Sequence, residues 1–438
     1  MSGLSLNQAP PYFSVQRFFL TAPIFVMLAS AVIINEAIFH HHYVFYSFLN
    51  YKLIGLLHWI TLGFITMIMF GAIMQMLPVL AGVKIQRSGI FSTIIYISLT
   101  LGAFLFGLSY VFNFREFLII GGVCITFSVG TFSTGVLFKL FSVKKGSDTI
   151  RAMRLSVASI MIVLALGLYM TAWRLTLVNG SGFNLLPLHF FWAFAGWVTL
   201  LIMGVSFQVL PMFYVSPEYP PFFRKAVPHL IFTLLVIFTI ITIIEGLIPE
   251  IRELFFLNSL IRLILYFFMA IYAIITISQI QRRKRKLPDP SILFWKTAMA
   301  FLFLSAILAA VLEFYSGKYL SKFVLLTAII FLFGFIFSVI HAMMYKIVPF
   351  LSWFHLAGKG IFNAPTMKEM LDVRRIYMHY LLHFLFLICL VTLLFYPFNK
   401  VYLFWGYLVT GILMFFSGLW FWLNLFSAIL KYNKFNKP

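Results

Sequence analysis

The sequence predicts an all-α polytopic membrane protein, with twelve transmembrane helices in three four-helix pseudo-repeats around a pseudo-threefold axis. Three observations lead to this fold class. Hydrophobic residues make up 63% of the 438 positions and charged residues only 10%, whereas soluble domains carry about 25% charged residues. Twelve apolar stretches are each long enough to cross a bilayer. One sequence pattern recurs three times at nearly even intervals, which is typical of repeated structural units.

A transmembrane helix needs about 20 consecutive, mainly apolar residues. The first stretch is interpreted as a retained helix, because no small-residue cleavage site follows it. Residues 1–438 are therefore expected to form a single transmembrane domain. The stretches run approximately from Phe18 to Ile38, Leu53 to Gly82, Gly89 to Phe112, Phe117 to Phe141, Leu155 to Leu175, Leu188 to Met212, Val227 to Leu247, Leu257 to Ile280, Ile292 to Phe314, Phe323 to Leu351, Ile376 to Tyr396 and Val401 to Leu430.

The recurring pattern ends in a proline in the second, sixth and tenth stretches, and these prolines are 133 and 138 residues apart. Each follows a polar residue by three positions, a small residue by seven and a glycine by fifteen. Small residues allow helices to approach closely, so the pattern predicts three equivalent, closely packed helices. The pseudo-repeats span about 1–145, 146–287 and 288–438. The aligned residues are Pro78, Pro211 and Pro349; Gln75, Gln208 and Lys346; Gly71, Gly204 and Ala342; and Gly63, Gly196 and Gly334.

The distribution of charge predicts the orientation. Of the 32 basic residues, 24 fall on the side shared by both termini and 8 on the other. The positive-inside rule then places both termini in the cytoplasm. The expected location is the cytoplasmic (inner) membrane of a bacterium or archaeon. The same rule explains the net charge of +21, so the lipid bilayer is the expected partner and nucleic acid is not. The loops are too short for a soluble catalytic domain, and no catalytic residue is assigned.

Two groups of histidines are candidates for ligand binding. His58 and His189 stand 20 and 22 residues before their prolines, so both are expected in the outer part of the membrane. The triplet His40, His41 and His42 belongs to the same outer layer. His58 is either a hydrogen-bonded interfacial histidine or a ligand. The triplet is either a solvated loop or a metal site that captures copper.

The second group is predicted near the cytoplasmic side. His341 stands eight residues before Pro349, and His379 and His383 are one helical turn apart on the antiparallel eleventh helix. We expect these three histidines at one depth. Hydrogen bonding between helices and ligation of a metal or haem both account for them.

Ion pairs are expected near the outer helix ends. Glu36, Glu245 and Glu313 lie there, and Arg174 and Arg262 are available as partners. Ionisable residues at membrane depth are unfavourable unless paired and mark functional sites by default. These residues are interpreted as structural ion pairs or interfacial anchors.

Two segments resemble known families. Twelve helices with a histidine in the outer third of the second helix resemble the catalytic subunit of haem-copper oxidases. The segment LHFFWAFAG (Leu188 to Gly196) is similar to the oxidase segment that leads into a copper-ligand histidine. The opening YFSVQRFFLTAPIF (Tyr12 to Phe25) is similar to the start of NnrS-type proteins, a haem-linked membrane family implicated in nitric oxide tolerance.

The resemblance implies a site that lacks most of the oxidase ligands. His58 matches the position of a low-spin haem ligand. Ala195 and Gly196 stand where a copper histidine should follow, helix seven has only His229 at the wrong end, and no histidine occurs from Phe323 to Gly334. An oxygen-reducing binuclear centre is therefore not expected. A single haem would need its second axial ligand from His189, from the triplet His40 to His42, or from a methionine, or would have none.

The resemblance implies a haem- or metal-binding membrane protein in respiratory redox chemistry or the nitric oxide response, with haem b and copper as the candidate cofactors. His58, His189, His341, His379 and His383 are the candidate cofactor-binding residues, and His40, His41 and His42 the candidate metal ligands. Respiratory-chain subunits or a quinol are the implied partners. The alternative is a transporter or assembly factor that passes copper, haem or a small solute without redox chemistry.

Overall fold

The computed structural model describes residues 10–40, 50–144, 146–179, 182–248, 254–284, 286–361, 363–395 and 400–436. Over these ranges the regular structure is entirely helical, with no β-strand. The composition explains this result, because a backbone surrounded by hydrocarbon must satisfy its hydrogen bonds internally, as a helix does.

Within the described ranges, twelve helices are long and apolar enough to cross a membrane, as the sequence predicts, so the chain is a multi-pass membrane protein. Each predicted stretch corresponds to one of them. They are α1 (Tyr12–Phe39), α2 (Tyr51–Val79), α3 (Ser88–Phe112), α4 (Arg115–Phe141), α5 (Asp148–Arg174), α6 (Leu186–Tyr214), α7 (Pro221–Leu247), α8 (Phe256–Gln281), α9 (Ser291–Leu312), α10 (Leu320–Gly358), α11 (Val373–Phe395) and α12 (Val401–Phe435).

Helix α10 is longer than the sequence pattern indicates. It continues to Gly358, although a loop was expected from Ser352 onward. Phe354 and Leu356 are buried in this extension, and Ser352 Oγ shares a 2.7 Å hydrogen bond with Tyr12 Oη. Burial against other helices therefore prolongs the helix beyond the point at which hydropathy falls.

The chain divides into two compact units. The first, unit 1, comprises Met1–Ser128, Pro288–Ala298 and Ala328–Pro438. Within it, α1 packs against α2, α3 and α12, and α11 packs against α12. The contact between α1 and α2 needs glycine: a Cβ at Gly63 would lie 2.3 Å from the ring of Phe25, and one at Gly71 would lie 2.8 Å from the ring of Phe19.

The second, unit 2, comprises Val129–Leu287 and Met299–Thr327. Helix α5 packs against α6, and α7 packs against α8. A Cβ at Gly204 of α6 would lie 2.5 Å from Cβ of Ala152, and one at Gly196 would lie 2.8 Å from Oγ of Ser159. The small residues of the sequence pattern thus lie at helix contacts in this unit as well.

Three of the helices contain a π-helical segment of eight residues: Trp59–Thr66 in α2, Trp192–Thr199 in α6 and Ile330–Phe337 in α10. π-helix is rare, and it is frequent at functional sites. Each segment ends twelve residues before the aligned proline and contains the aligned glycine. The sequence pattern therefore has a counterpart in the backbone geometry of all three helices.

Candidate functional site

Polar side chains in the core of unit 1 form stripes on three helices. Residues three, four or seven positions apart share one face of a helix. Helix α11 contributes His379 and His383 at this spacing. Helix α10 contributes Ser338, His341 and Tyr345, and helix α12 contributes Ser417 and Asn424. All seven side chains are buried.

The structure brings His341, His379 and His383 together, and we call these three residues the imidazole cluster. The ring centroid of His341 lies 4.5 Å from that of His379 and 4.9 Å from that of His383. The centroids of His379 and His383 are 6.3 Å apart. Matched depth on antiparallel helices thus corresponds to direct ring contact. The role of these histidines as ligands stays a prediction.

His379 has hydrogen bonds at both ring nitrogens. Its Nδ1 lies 2.7 Å from Oη of Tyr345, and its Nε2 lies 3.3 Å from Oγ of Ser417. Asn424 Nδ2 donates to the same Tyr345 oxygen over 2.9 Å. A consistent assignment has the tyrosine hydroxyl accept from Asn424 and donate to His379 Nδ1, while His379 Nε2–H donates to Ser417. The network then holds the His379 ring in one orientation.

His383 is also fully bonded, but to α10 alone. Its Nε2 lies 3.0 Å from Oγ of Ser338, and the imidazole bonds the backbone of Phe333. Phe333 lies in the π-helical segment of α10. That segment therefore supplies part of the environment of the cluster.

His341 differs from its two neighbours because its Nδ1 is buried and has no hydrogen-bond partner among the described residues. Aromatic rings surround the imidazole, with centroids at 4.6 Å for Phe421 and 5.5 Å for Phe294. A neutral imidazole carries one ring proton, so in the tautomer with the proton on Nε2 the buried Nδ1 offers a free lone pair. An unpaired buried nitrogen calls for an explanation, because buried polar atoms are nearly always bonded.

A small cavity of about 10 Å³ adjoins the imidazole cluster. This volume holds about one water molecule or a single ion. Among its lining residues are His341, His383, Ser417 and Met414, and most of the others are apolar or aromatic. Sites for organic ligands have volumes of about 300–1,000 Å³, far above that of this cavity. Binding of haem or a metal at the cluster stays a prediction.

A metal site is not already assembled here. Over the described ranges, no group of three or more His, Cys, Asp or Glu side chains is arranged to hold a metal ion. The hydrogen bonds of His379 and His383 explain this, because they engage both nitrogens of each ring. An ion in the cavity would use His341 first, and would reach His383 only after the hydroxyl of Ser338 turned away.

The outer histidines His58 and His189 lie in different compact units. His58 belongs to unit 1 and His189 to unit 2. His58 Nδ1 lies 2.8 Å from the carbonyl oxygen of Ile54, a bond that leaves Nε2 free to accept or to ligate. The rings of Phe106 and Tyr110 contact this imidazole at 5.0 and 5.9 Å. The exposed His229 makes the same bond to its own helix, so the bond alone does not indicate a ligand.

The predicted metal triplet His40 to His42 cannot be placed, for the following reason. The side chain of His40 and the whole of His41 and His42 lie outside the described residues. His189 is half-buried, and a Cβ at Gly167 would lie 3.2 Å from its ring. A cofactor role for His58, His189 and the triplet stays a prediction.

The acidic residues near the helix ends are paired. Arg262 forms a two-point salt bridge with Glu313, with both N–O distances at 2.7 Å, so the predicted partnership of this arginine is confirmed. Glu36 instead pairs with Lys52 over 2.7 Å. Glu245 accepts a hydrogen bond from Asn258.

Sequence reasoning missed four members of the network: Ser338, Tyr345, Ser417 and Asn424. Each stands three, four or seven residues from another polar member on its helix, within a span that is otherwise apolar. That spacing was the available signal. No protein-family model matches the chain, and no curated protein matches it in sequence.

Proposed function

We propose that this membrane protein binds one soft metal ion, Cu(I), at the imidazole cluster, and that it acts in copper handling or in copper-dependent redox chemistry. One observation carries the proposal: a cavity of single-ion size is lined by His341, His383 and Met414, beside a buried ring nitrogen without a partner. Imidazole nitrogen and thioether sulfur are ligands that Cu(I) accepts.

Charge favours a monovalent ion. The described residues that line the cavity include no carboxylate, so a bound ion would bring uncompensated charge into an apolar interior. Burial of uncompensated charge is unfavourable, and it is more so for a divalent ion. The donor set and the charge therefore both favour Cu(I) over Zn²⁺.

The resemblance implies a protein that binds either haem or a metal, and the proposal chooses the metal. Haem binding at His58 is the competing hypothesis. We also infer that the helices form three pseudo-repeats, which the equal placement of the π-helical segments supports. The charge asymmetry supports cytoplasmic termini. A respiratory subunit or a quinol would be the electron partner if the copper changes oxidation state.

Cu(I) titration of the purified protein tests the proposal. Metal-free protein in detergent is titrated under anaerobic conditions in competition with a chromogenic Cu(I) chelator. We expect one Cu(I) per chain, and an affinity lowered more than about 10-fold by His341→Phe and by Met414→Leu, because each removes a ligand. His229→Phe is the matched control, because its histidine is exposed, and this variant should bind as the original chain does.

The competing hypothesis has its own readout. The proposal would be contradicted by two results together. One is a Soret band in protein from haem-replete cells that is lost in His58→Ala, and the other is the absence of Cu(I) binding in the titration. If Cu(I) binds, His341-dependent uptake of copper into proteoliposomes would assign the site to transport. Binding without uptake would assign it to redox chemistry or copper storage.

A further inference from the structure

A second buried polar group lies in unit 2, and we call it the carboxylate cluster: Glu245 on α7, Asn258 and Arg262 on α8, and Glu313 directly after α9. Arg262 Nε and one terminal nitrogen each donate to Glu313 over 2.7 Å. The same guanidinium also donates to Ser259 over 2.9 Å. The positive charge of Arg262 and the negative charge of Glu313 therefore balance each other.

The carboxylate of Glu245 has only part of its hydrogen bonds. Asn258 Nδ2 donates to its Oε2 over 2.7 Å, but its Oε1 is buried without a hydrogen-bond partner among the described residues. Two carboxylates and one guanidinium leave the cluster with a net charge of −1. A buried charge is unfavourable unless something compensates it, so the cluster is short of one positive charge.

Asn258 supplies a second and independent observation. Its side chain is only 3% exposed, and its Oδ1 is also buried without a partner over the described ranges. Nδ2 of the same amide bonds Glu245, so the two side chains with an unpaired oxygen are direct neighbours. A third oxygen, Oγ1 of Thr242, lies 3.5 Å from Asn258 Nδ2 and donates its own hydrogen to the carbonyl of Phe238 over 2.8 Å.

The ligand that this arrangement takes can be deduced from its chemistry. The unsatisfied atoms are the oxygens of two side chains that share a hydrogen bond, and oxygen is the preferred ligand of hard cations. The missing charge is a single unit, which a monovalent ion supplies. We propose that Glu245, Asn258 and Thr242 form a binding site for Na⁺. The site uses none of the residues of the imidazole cluster.

An ion site of this kind gives the chain a function that copper binding does not. Ionisable residues at membrane depth mark ion pathways and coupling sites. Occupied by Na⁺, the cluster is neutral; empty, it holds an unfavourable charge. Na⁺ would therefore stabilise unit 2, and its release would be linked to a change in this part of the protein.

Binding of ²²Na⁺ to the full-length protein in detergent tests the site, together with thermal unfolding in NaCl, KCl or choline chloride at one ionic strength. We expect saturable binding of one Na⁺ per chain and a Tm that rises with Na⁺ and not with choline. Thr242→Val keeps the shape of the side chain and removes one oxygen. It should weaken Na⁺ binding about 10-fold, and a cooperative unfolding transition in choline shows that the variant is folded.

Glu245→Gln removes the charge and should abolish both Na⁺ effects. Its Tm in choline should equal or exceed that of the original chain, and this measurement shows that the variant is folded. Glu218→Gln is the matched control, because the side chain of Glu218 is 70% exposed, and it should bind Na⁺ normally. Absence of Na⁺-specific binding in the original chain, or equal binding in Glu245→Gln, would overturn the proposal.

Discussion

The imidazole cluster of unit 1 and the carboxylate cluster of unit 2 satisfy buried polar atoms in different ways. The first uses hydrogen bonds between neutral groups, which reach both nitrogens of His379 and of His383. The second uses formal charges, with a two-point bridge between Arg262 and Glu313. Each leaves a small number of buried atoms unsatisfied: a ring nitrogen in the first cluster and two oxygens in the second.

The difference determines what each cluster can bind. A nitrogen lone pair and a thioether suit a soft ion. An unpaired oxygen of the Glu245 carboxylate and one of the Asn258 amide suit a hard ion. It also determines how each cluster responds to mutation. Loss of one partner leaves a hydrogen-bonding atom unpaired in the imidazole cluster, but it leaves a full charge unpaired in the carboxylate cluster.

The largest effect is therefore expected from Arg262→Met. The side chains of Arg262 and Glu313 are 18% and 11% exposed, so removal of the guanidinium strands a mostly buried carboxylate. We expect a loss of about 3–5 kcal/mol in the free energy of unfolding, measured by denaturant unfolding in detergent.

The double variant Arg262→Met with Glu313→Met is the control for this prediction. It removes both charges, and it should recover most of the lost stability because no charge remains unpaired. If the single variant loses less than about 1 kcal/mol, the bridge behaves as an exposed ion pair. The contrast between the two clusters would then disappear.

The sequence predicts the depth of a side chain in the membrane better than it predicts which way the side chain faces around the helix axis. Helix rise and antiparallel order are enough to place His341 level with His379 and His383. The partners Tyr345 and Asn424 depend instead on which face of each helix is turned inward. These spans are apolar on nearly every face, so hydropathy does not reveal that rotation.

The carboxylate cluster shows the same limit. The partnership of Arg262 with a glutamate follows from charge and depth. Asn258 carries no charge and stands in an apolar span, so nothing in composition indicates that it completes the cluster. For His58 and His189, which belong to different compact units, the shared outer layer stays a prediction.

A smaller effect is expected from Tyr345→Phe in the imidazole cluster. The change removes the hydroxyl that bonds His379 Nδ1 at 2.7 Å and Asn424 Nδ2 at 2.9 Å. Unlike the amide of Asn424, which also reaches the carbonyl of Arg375, the ring nitrogen has no described replacement partner. We expect a loss of about 1–3 kcal/mol in the free energy of unfolding.

Tyr380→Phe on α11 is the matched comparison. Its hydroxyl bonds Thr297 over 2.8 Å, which is one bond outside the network of His379, and the residue is only half-buried. This variant should lose about 1 kcal/mol or less. Equal losses in the two tyrosine variants would show that the network around His379 adds nothing beyond one ordinary hydrogen bond.

The smallest effect is expected from His341→Phe, and it separates a ligand from a structural residue within one cluster. The Nδ1 of His341 has no described partner to lose, and a phenyl ring matches the surrounding Phe294 and Phe421. We expect the free energy of unfolding of metal-free His341→Phe to change by less than about 1 kcal/mol. The free energy of unfolding of His379→Phe should fall by about 1–3 kcal/mol. A loss above about 2 kcal/mol in metal-free His341→Phe would assign His341 to the structural network. A near-zero loss, combined with weakened Cu(I) binding, would show that its buried nitrogen is kept for the ion.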